Sequence, residues 1–331
     1  MIKSMWKNAV FLICAFILYA YHAKSQEGLT AIEKYLESAV GAGRDKITIE
    51  KEFLYDKDTL PDSYPYKNTT REFQWDKVRR SLILLESIQR EDGSWATLQN
   101  YKNIHGRPKQ VKNFQKNDYN EICDSQGVAQ SQSAPLYAAT DSITPLLYGR
   151  DGSLVKFLGE NGNFVKVTTV YSEGDWEVPK KYVKLLADGV VFRKAVFVDR
   201  TNQNIATLEK VGLTWLVRSM TKATTGLHKP PYEYETPLGI FVVQEKKDKM
   251  IYNVDGSDEQ AGFAPYASRF SGGAHIHGIP VNGPLDAGLV ENSPILGTTP
   301  HSHECVRTIT SHAKFIYDWG AIDDTIVFVI D

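Results

Sequence analysis

Cysteine is scarce in this chain: there are three among 331 residues. Basic charge is not in excess either, with 38 lysines and arginines against 40 aspartates and glutamates. Nothing therefore suggests a surface for nucleic acid. The apolar run at residues 9–21 is too short to span a bilayer comfortably. Lys3 and Lys7 precede it and the small residues Ala23 and Ser25 follow it, which is the pattern of a secretory signal cleaved after Ser25; an uncleaved anchor is the alternative. Cys14 lies inside the run, preceded by Ile13 where lipid attachment wants a small residue. Without Lys3, Lys7 and Lys24 the basic count falls to 35 against 40 acids, a formal charge of −5. Cys123 and Cys305 then remain in an exported chain, where they either pair or stay free.

The 306 residues after the signal are enough for two or three domains. Thr30-Ala31-Ile32-Glu33 has the form of a capping box. Val78, Leu82, Leu85 and Ile88 recur at helical spacing and predict a helix over 75–90. Residues 27–128 therefore read as a mostly helical N-terminal region, with His105 and Cys123 standing alone in it. From Ser133 the pattern changes to short alternating runs divided by turns, with Asn161-Gly162 as a hairpin turn. With its Gly174-Asp175-Trp176-Glu177-Val178-Pro179 ending, the segment 133–187 resembles a bacterial SH3-like domain, a small barrel that often binds or orients cell-wall peptides. Strand-like runs at 190–198, 204–210, 213–218 and 239–244 then make residues 190–331 β-rich, so the expected fold is mainly β.

Four of the eight histidines fall beside Cys305, in His275-Ile276-His277-Gly278 and His301-Ser302-His303-Glu304-Cys305-Val306-Arg307. Imidazole beside a thiol is either nucleophilic or metal chemistry. A free thiol is mostly protonated at neutral pH, so a nucleophilic cysteine needs a nearby imidazole or a helix N-terminus. Val306, Ile309, Ala313 and Ile316 recur at helical spacing, which would start a helix at Cys305. His275 and His277 alternate on one strand and point to one face.

Taken with Thr236-Pro237-Leu238-Gly239-Ile240-Phe241 and Pro265-Tyr266, these motifs resemble the catalytic domain of the L,D-transpeptidases, the YkuD-type family that cross-links peptidoglycan. The resemblance covers residues 190–331 and implies a β-sandwich. It implies Cys305 as the acylated nucleophile, His277 as the base, and the Gly278 carbonyl as the group that holds the imidazole. It places Ser302, His303, Glu304, Arg307 and Tyr266 around the substrate, with His275 as the backup base. It implies no metal or organic cofactor, peptidoglycan stem peptides as partners and carbapenem-type β-lactams as inhibitors; the signal segment, which carries no surface-anchoring feature, sets the expected location as the periplasm or cell envelope.

Two departures bear on substrate choice. Glu304 stands where the family usually has glycine, and its side chain is expected to face solvent. The interval from His277 to Ser302 is longer than usual, so residues 281–299 are read as a lid. Three other readings stay open: an L,D-carboxypeptidase using the same site, a metal-dependent hydrolase built on His275, His277, His301, His303 and Cys305, and a non-catalytic wall-binding protein.

Overall fold

The computed structural model describes residues 47–331, apart from residue 92 and residues 171–173. The signal segment and the capping box at Thr30 lie outside the described residues. Strand accounts for 44% and helix for 11%, which makes the protein mainly β.

The C-terminal region is built on one eleven-stranded sheet. Its main path runs Gly239–Val242, Thr325–Ile330, Lys194–Asp199, Asn204–Val211, Thr214–Thr224, Val306–Thr308, Ala274–His277, Gln260–Ser271 and Glu245–Asn253. Thr214–Thr224 links the two halves: Thr214–Lys222 lies along Asn204–Val211, while Ala223 and Thr224 pair with Thr308 and Arg307. Alternation along each strand then sets two cores. Val196, Val198 and Ile205 from one half meet Phe270, Ile276 and Val306 from the other, together with Ile316. On the opposite face, Ala195, Phe197, Leu208 and Trp215 pack against Leu82 and Leu85.

Those two leucines belong to the helix Trp75–Gln89, which buries Val78, Leu82, Ile83, Leu84 and Leu85. Leu82 and Leu85 are almost fully enclosed, and each such side chain stabilises by about 1.5–3 kcal/mol relative to an exposed one. Trp215 Nε1 donates to Glu86 Oε1 at 2.8 Å and fixes the helix against the sheet. The helix forms where its periodicity places it. The expectation of a mostly helical region over 27–128 is nevertheless corrected, because Trp75–Gln89 is the only α-helix among the described residues of that stretch. Thr48–Lys51 instead pairs parallel with Thr214–Val217, and Ser63–Tyr66 pairs with Thr69–Glu72. These four-residue segments become strands through backbone bonds to partners that are in part distant in sequence, and no local pattern carries that information.

A five-stranded antiparallel sheet lies ahead of the C-terminal region, in the order Asp175–Pro179, Phe164–Thr169, Leu154–Asn161, Ser94–Leu98 and Val183–Leu185. The Asn161-Gly162 hairpin forms, with Gly162 at φ 57. The segment 133–187 is not self-contained, because Ser94–Leu98 enters its sheet between two of the segment's own strands.

Candidate active site

Ala274–His277 and Val306–Thr308 are neighbouring parallel strands, with Ile276 opposite Val306 and His277 opposite Arg307. Ile276 and Val306 point into the core between the sheet halves. Their neighbours His275, His277, Cys305 and Arg307 must therefore share the other face. This pairing joins two motifs that lie 28 positions apart in the chain.

The pairing also corrects the helical reading of Cys305. Cys305 leads into the strand Val306–Thr308, and the helix Thr310–Trp319 begins five residues later. Ile309, Ala313 and Ile316 are buried as their spacing suggested. Val306 has helical spacing to them but belongs to the sheet, where both Ile276 and Ala223 flank its strand. No helix N-terminus therefore lowers the thiol's pKa.

Cys305 is buried and free, as is Cys123, so the disulfide alternative is set aside. Its Sγ lies 3.5 Å from the Gly273 carbonyl. Burial pushes the thiol up to about 12, with the Glu304 carboxylate adding to the rise. The His275 backbone N–H and the Arg307 charge pull it down. His277 Nδ1 donates to the Gly278 carbonyl at 2.6 Å, which leaves Nε2 as the basic nitrogen. Gly278 is held in turn by its own N–H, bonded to Pro265 O at 2.9 Å. Burial lowers His277 to about 3, despite the carbonyl's opposing effect, and Arg307 and His275 lower it further. At neutral pH the Cys305 thiol and the His277 imidazole are therefore both uncharged.

His275 repeats the arrangement, its Nδ1 donating to Gly273 O at 2.8 Å. Its Nε2 is buried without a partner. Burial lowers this imidazole to about 4. His312 is a third buried imidazole, bonded to Ser219 Oγ at 2.8 Å and Thr308 Oγ1 at 3.0 Å, and it serves the core.

Ser302 is fully buried and its hydroxyl donates to the Cys305 carbonyl. Thr236 Oγ1 donates to Glu304 O at 2.7 Å and approaches Cys305 O at 3.4 Å. These hydroxyls fix the peptide groups on both sides of Cys305. Gly226 makes room for them: a Cβ there would stand 2.1 Å from Tyr234 O and 2.8 Å from Glu304 Cα. His303 points outward and pairs with Asp255 at 3.0 Å. Arg307 keeps a buried Nε without a partner.

Two side chains lie elsewhere than expected. Tyr266 packs against Tyr317 at 6.0 Å and under Lys314 of the C-terminal helix, rather than around Cys305. Tyr266 takes φ 53 and is skipped in the ladder with Glu245–Asn253, and this break in the strand accompanies its turn toward the helix. Glu304 turns inward instead of facing solvent, at φ 84. Its carboxylate lies against the Gly272-Gly273 turn, where a Cβ on Gly273 would be 2.9 Å from Oε2. Burial raises it to about 7; Arg150 opposes the rise, while Glu121 and Asp151 add to it.

Residues 281–299 are fastened rather than free as a lid. Lys57 pairs with Glu291 at 2.5 Å, and Thr310 N donates to Glu291 O at 2.9 Å. Arg71 donates to Gly297 O and Thr298 O. Leu296 packs with Ile279 and Ile309. His301 is exposed, and among the described residues no three His, Cys, Asp or Glu side chains converge as a metal-ligand set.

Sequence reasoning missed Gly273, whose carbonyl meets both Cys305 and His275, because a backbone acceptor leaves no mark on residue type. It also missed Tyr101, Arg150 and Asp151, which reach this neighbourhood from outside the β-rich region. Arg150-Asp151-Gly152 carries only the signal of a turn.

No curated protein matches the chain. A fused Zn-dependent amidase/peptidase/peptidoglycan-binding domain-containing protein from Clostridium acetobutylicum is 20% identical, with TM-score 0.31, over 42% of this chain and 52% of that one. An L,D-transpeptidase from Stackebrandtia nassauensis is 20% identical, with TM-score 0.30, over 44% and 58%. An LD transpeptidase in complex with imipenem is 15% identical, with TM-score 0.34, over 54% and 90%. The chain thus spans little more than half the length of the first two. Residues 193–329 match the family model of the L,D-transpeptidase catalytic domain, YkuD.

Proposed function

We propose that the protein is an exported peptidoglycan L,D-transpeptidase acting through Cys305. The observation that carries this reading is the 2.6 Å bond from His277 Nδ1 to Gly278 O, on the face of the sheet that also carries Cys305. It fixes the tautomer with a basic Nε2, the role a carboxylate plays in other triads.

A tetrapeptide stem would present the carbonyl of its third residue to Cys305. His277 Nε2 takes the thiol proton as sulfur attacks, so thiolate and imidazolium form together with the new bond. Collapse of the tetrahedral adduct breaks the peptide bond, and His277 returns the proton to the departing D-Ala amine. A thioester remains on Cys305. The amine of a second stem attacks it, loses a proton to His277 and restores the thiol. The buried, unpaired Nε of Arg307 offers a donor to a stem carboxylate. Carbapenem-type β-lactams would acylate the same sulfur, in keeping with the imipenem complex of one similar structure. The sequence of residues 1–25 supports export to the cell envelope.

The test is release of D-Ala from a disaccharide-tetrapeptide by the chain and by its His277→Ala and His275→Ala variants. His277→Ala should lose about 10²–10⁴-fold in rate, and His275→Ala far less. A larger loss in His275→Ala would assign the base to His275, and undiminished release in both would refute the mechanism.

A further inference from the structure

Asp151 lies outside the matched catalytic domain, between the strands Leu147–Arg150 and Leu154–Asn161, and is 1% exposed. Its Oδ1 accepts the backbone N–H groups of Asn100 at 2.7 Å and Tyr101 at 3.0 Å. Its Oδ2 accepts Arg269 Nη1 at 2.6 Å, Gln244 Nε2 at 3.1 Å and the backbone N–H of Gly272 at 3.1 Å. Arg269 sits opposite His275 in the sheet, and its guanidinium lies 4.3 Å from the centre of the Tyr101 ring. The neighbouring Gly152, at φ 79, seats this turn on the catalytic sheet: a Cβ there would stand 1.8 Å from Phe270 O.

Gly272 leads to Gly273, whose carbonyl accepts His275 Nδ1–H and faces Cys305 Sγ at 3.5 Å. Two successive glycines, the first at φ 46, give the turn no side chain with which to hold itself. The Ser271–Ala274 pair closes it, and the Asp151 carboxylate holds its Gly272 N–H from outside the sheet. We propose that Asp151 is a positioning residue for Cys305, holding Gly272 N–H and Arg269 so that the Gly273 carbonyl and the His275 backbone N–H meet the sulfur in register. The catalytic domain is thereby completed by the segment before it. A buried ion pair of this kind adds little net stability over an apolar pair, whereas a shift of about 1 Å near the reacting atoms costs up to about 10²-fold in rate.

This inference rests on Cys305 being the nucleophile, and its test needs no substrate. The full chain and its Asp151→Asn and Arg269→Lys variants are alkylated with iodoacetamide from pH 6 to 11. The rate at Cys305 is read by peptide mass, and thermal unfolding is followed in parallel. Asp323→Asn, which breaks the Lys184–Asp323 pair between the same two regions, is the control. Asp151→Asn should slow alkylation at pH 9 by about tenfold or more and move the rise in rate to higher pH, because the N–H that favours the thiolate is displaced. Arg269→Lys should do the same to a smaller degree, and Asp323→Asn should lower the unfolding temperature alone. Faster alkylation in the Asp151 and Arg269 variants would mean simple loosening of the fold and overturn the proposal, as would folded variants with the parent rate and pH profile. Should Asp151→Asn not fold, Arg269→Lys decides. A chain that alkylates at Cys305 yet releases no D-Ala refutes the proposed function and leaves this inference standing.

Discussion

At Glu304 the backbone takes φ 84 and the carboxylate turns toward the site, so the residue works against the thiol beside it. A negative charge near Cys305 raises the sulfur's pKa, and burial in turn raises the carboxyl to about 7. Near neutral pH this acid is close to half-protonated, and its charge grows as pH rises. Glu304→Gln should therefore raise the Cys305 alkylation rate at pH 9 by about three- to tenfold, since one pKa unit is worth a tenfold change in thiolate fraction. An unchanged rate would mean that the carboxylate does not act on the sulfur. A solvent-facing side chain was the natural expectation from sequence, because a charged residue is costly to bury. The reversal comes from the left-handed backbone, which a residue name does not disclose. Gly278 was named through the family resemblance of its Ile-His-Gly motif, whereas Gly273 was not, because nothing marks a carbonyl that acts on residues 2 and 32 positions away.

Among the elements, those with strong local periodicity were the readable ones. The helix Trp75–Gln89, the hairpin at Asn161-Gly162 and the strands Lys194–Asp199 and Asn204–Val211 follow from their apolar spacing. Glu245–Asn253 was not visible, since a lysine-rich strand at the sheet's edge carries no apolar run. The placement of Cys305 on a strand was hidden for a different reason: Val306 serves the sheet while keeping helical spacing to Ile309 and Ala313. The loop over 281–299 shows how an insertion becomes structure, through Arg71, Lys57 and the small cluster of Ile279, Leu296 and Ile309. Leu296→Ala should cost about 2–4 kcal/mol by emptying that cluster. Urea unfolding would show it, and a loss under about 0.5 kcal/mol would mean that the loop is not anchored there.

For the whole molecule, the buried histidines predict how stability follows pH. His275, His277 and His312 have folded values of about 4, 3 and 3, lowered by burial from 6.5. Between these values and 6.5 the unfolded chain binds protons that the folded chain refuses. Stability is therefore full above about pH 6.5 and falls as the solution is acidified, by up to about 1.4 kcal/mol per pH unit for each histidine. Glu304 has the opposite sign, its raised value favouring the folded state below about pH 4.5 and losing that contribution as pH rises through 7. The balance is a net fall from pH 6 to pH 4 in the unfolding temperature, and a flat profile there would contradict the neutral state of the three imidazoles. The same molecule-wide view joins the halves: the segment ahead of residue 193 supplies the helix that covers one core and the carboxylate that braces the catalytic turn.

The central claim is that Cys305 is the nucleophile that is acylated. Intact mass after incubation with imipenem tests it most directly, with the Cys305→Ala variant in parallel. A single covalent adduct on the parent chain and none on the variant is the expected result. No adduct on the parent chain, or an equal adduct on the variant, would contradict it.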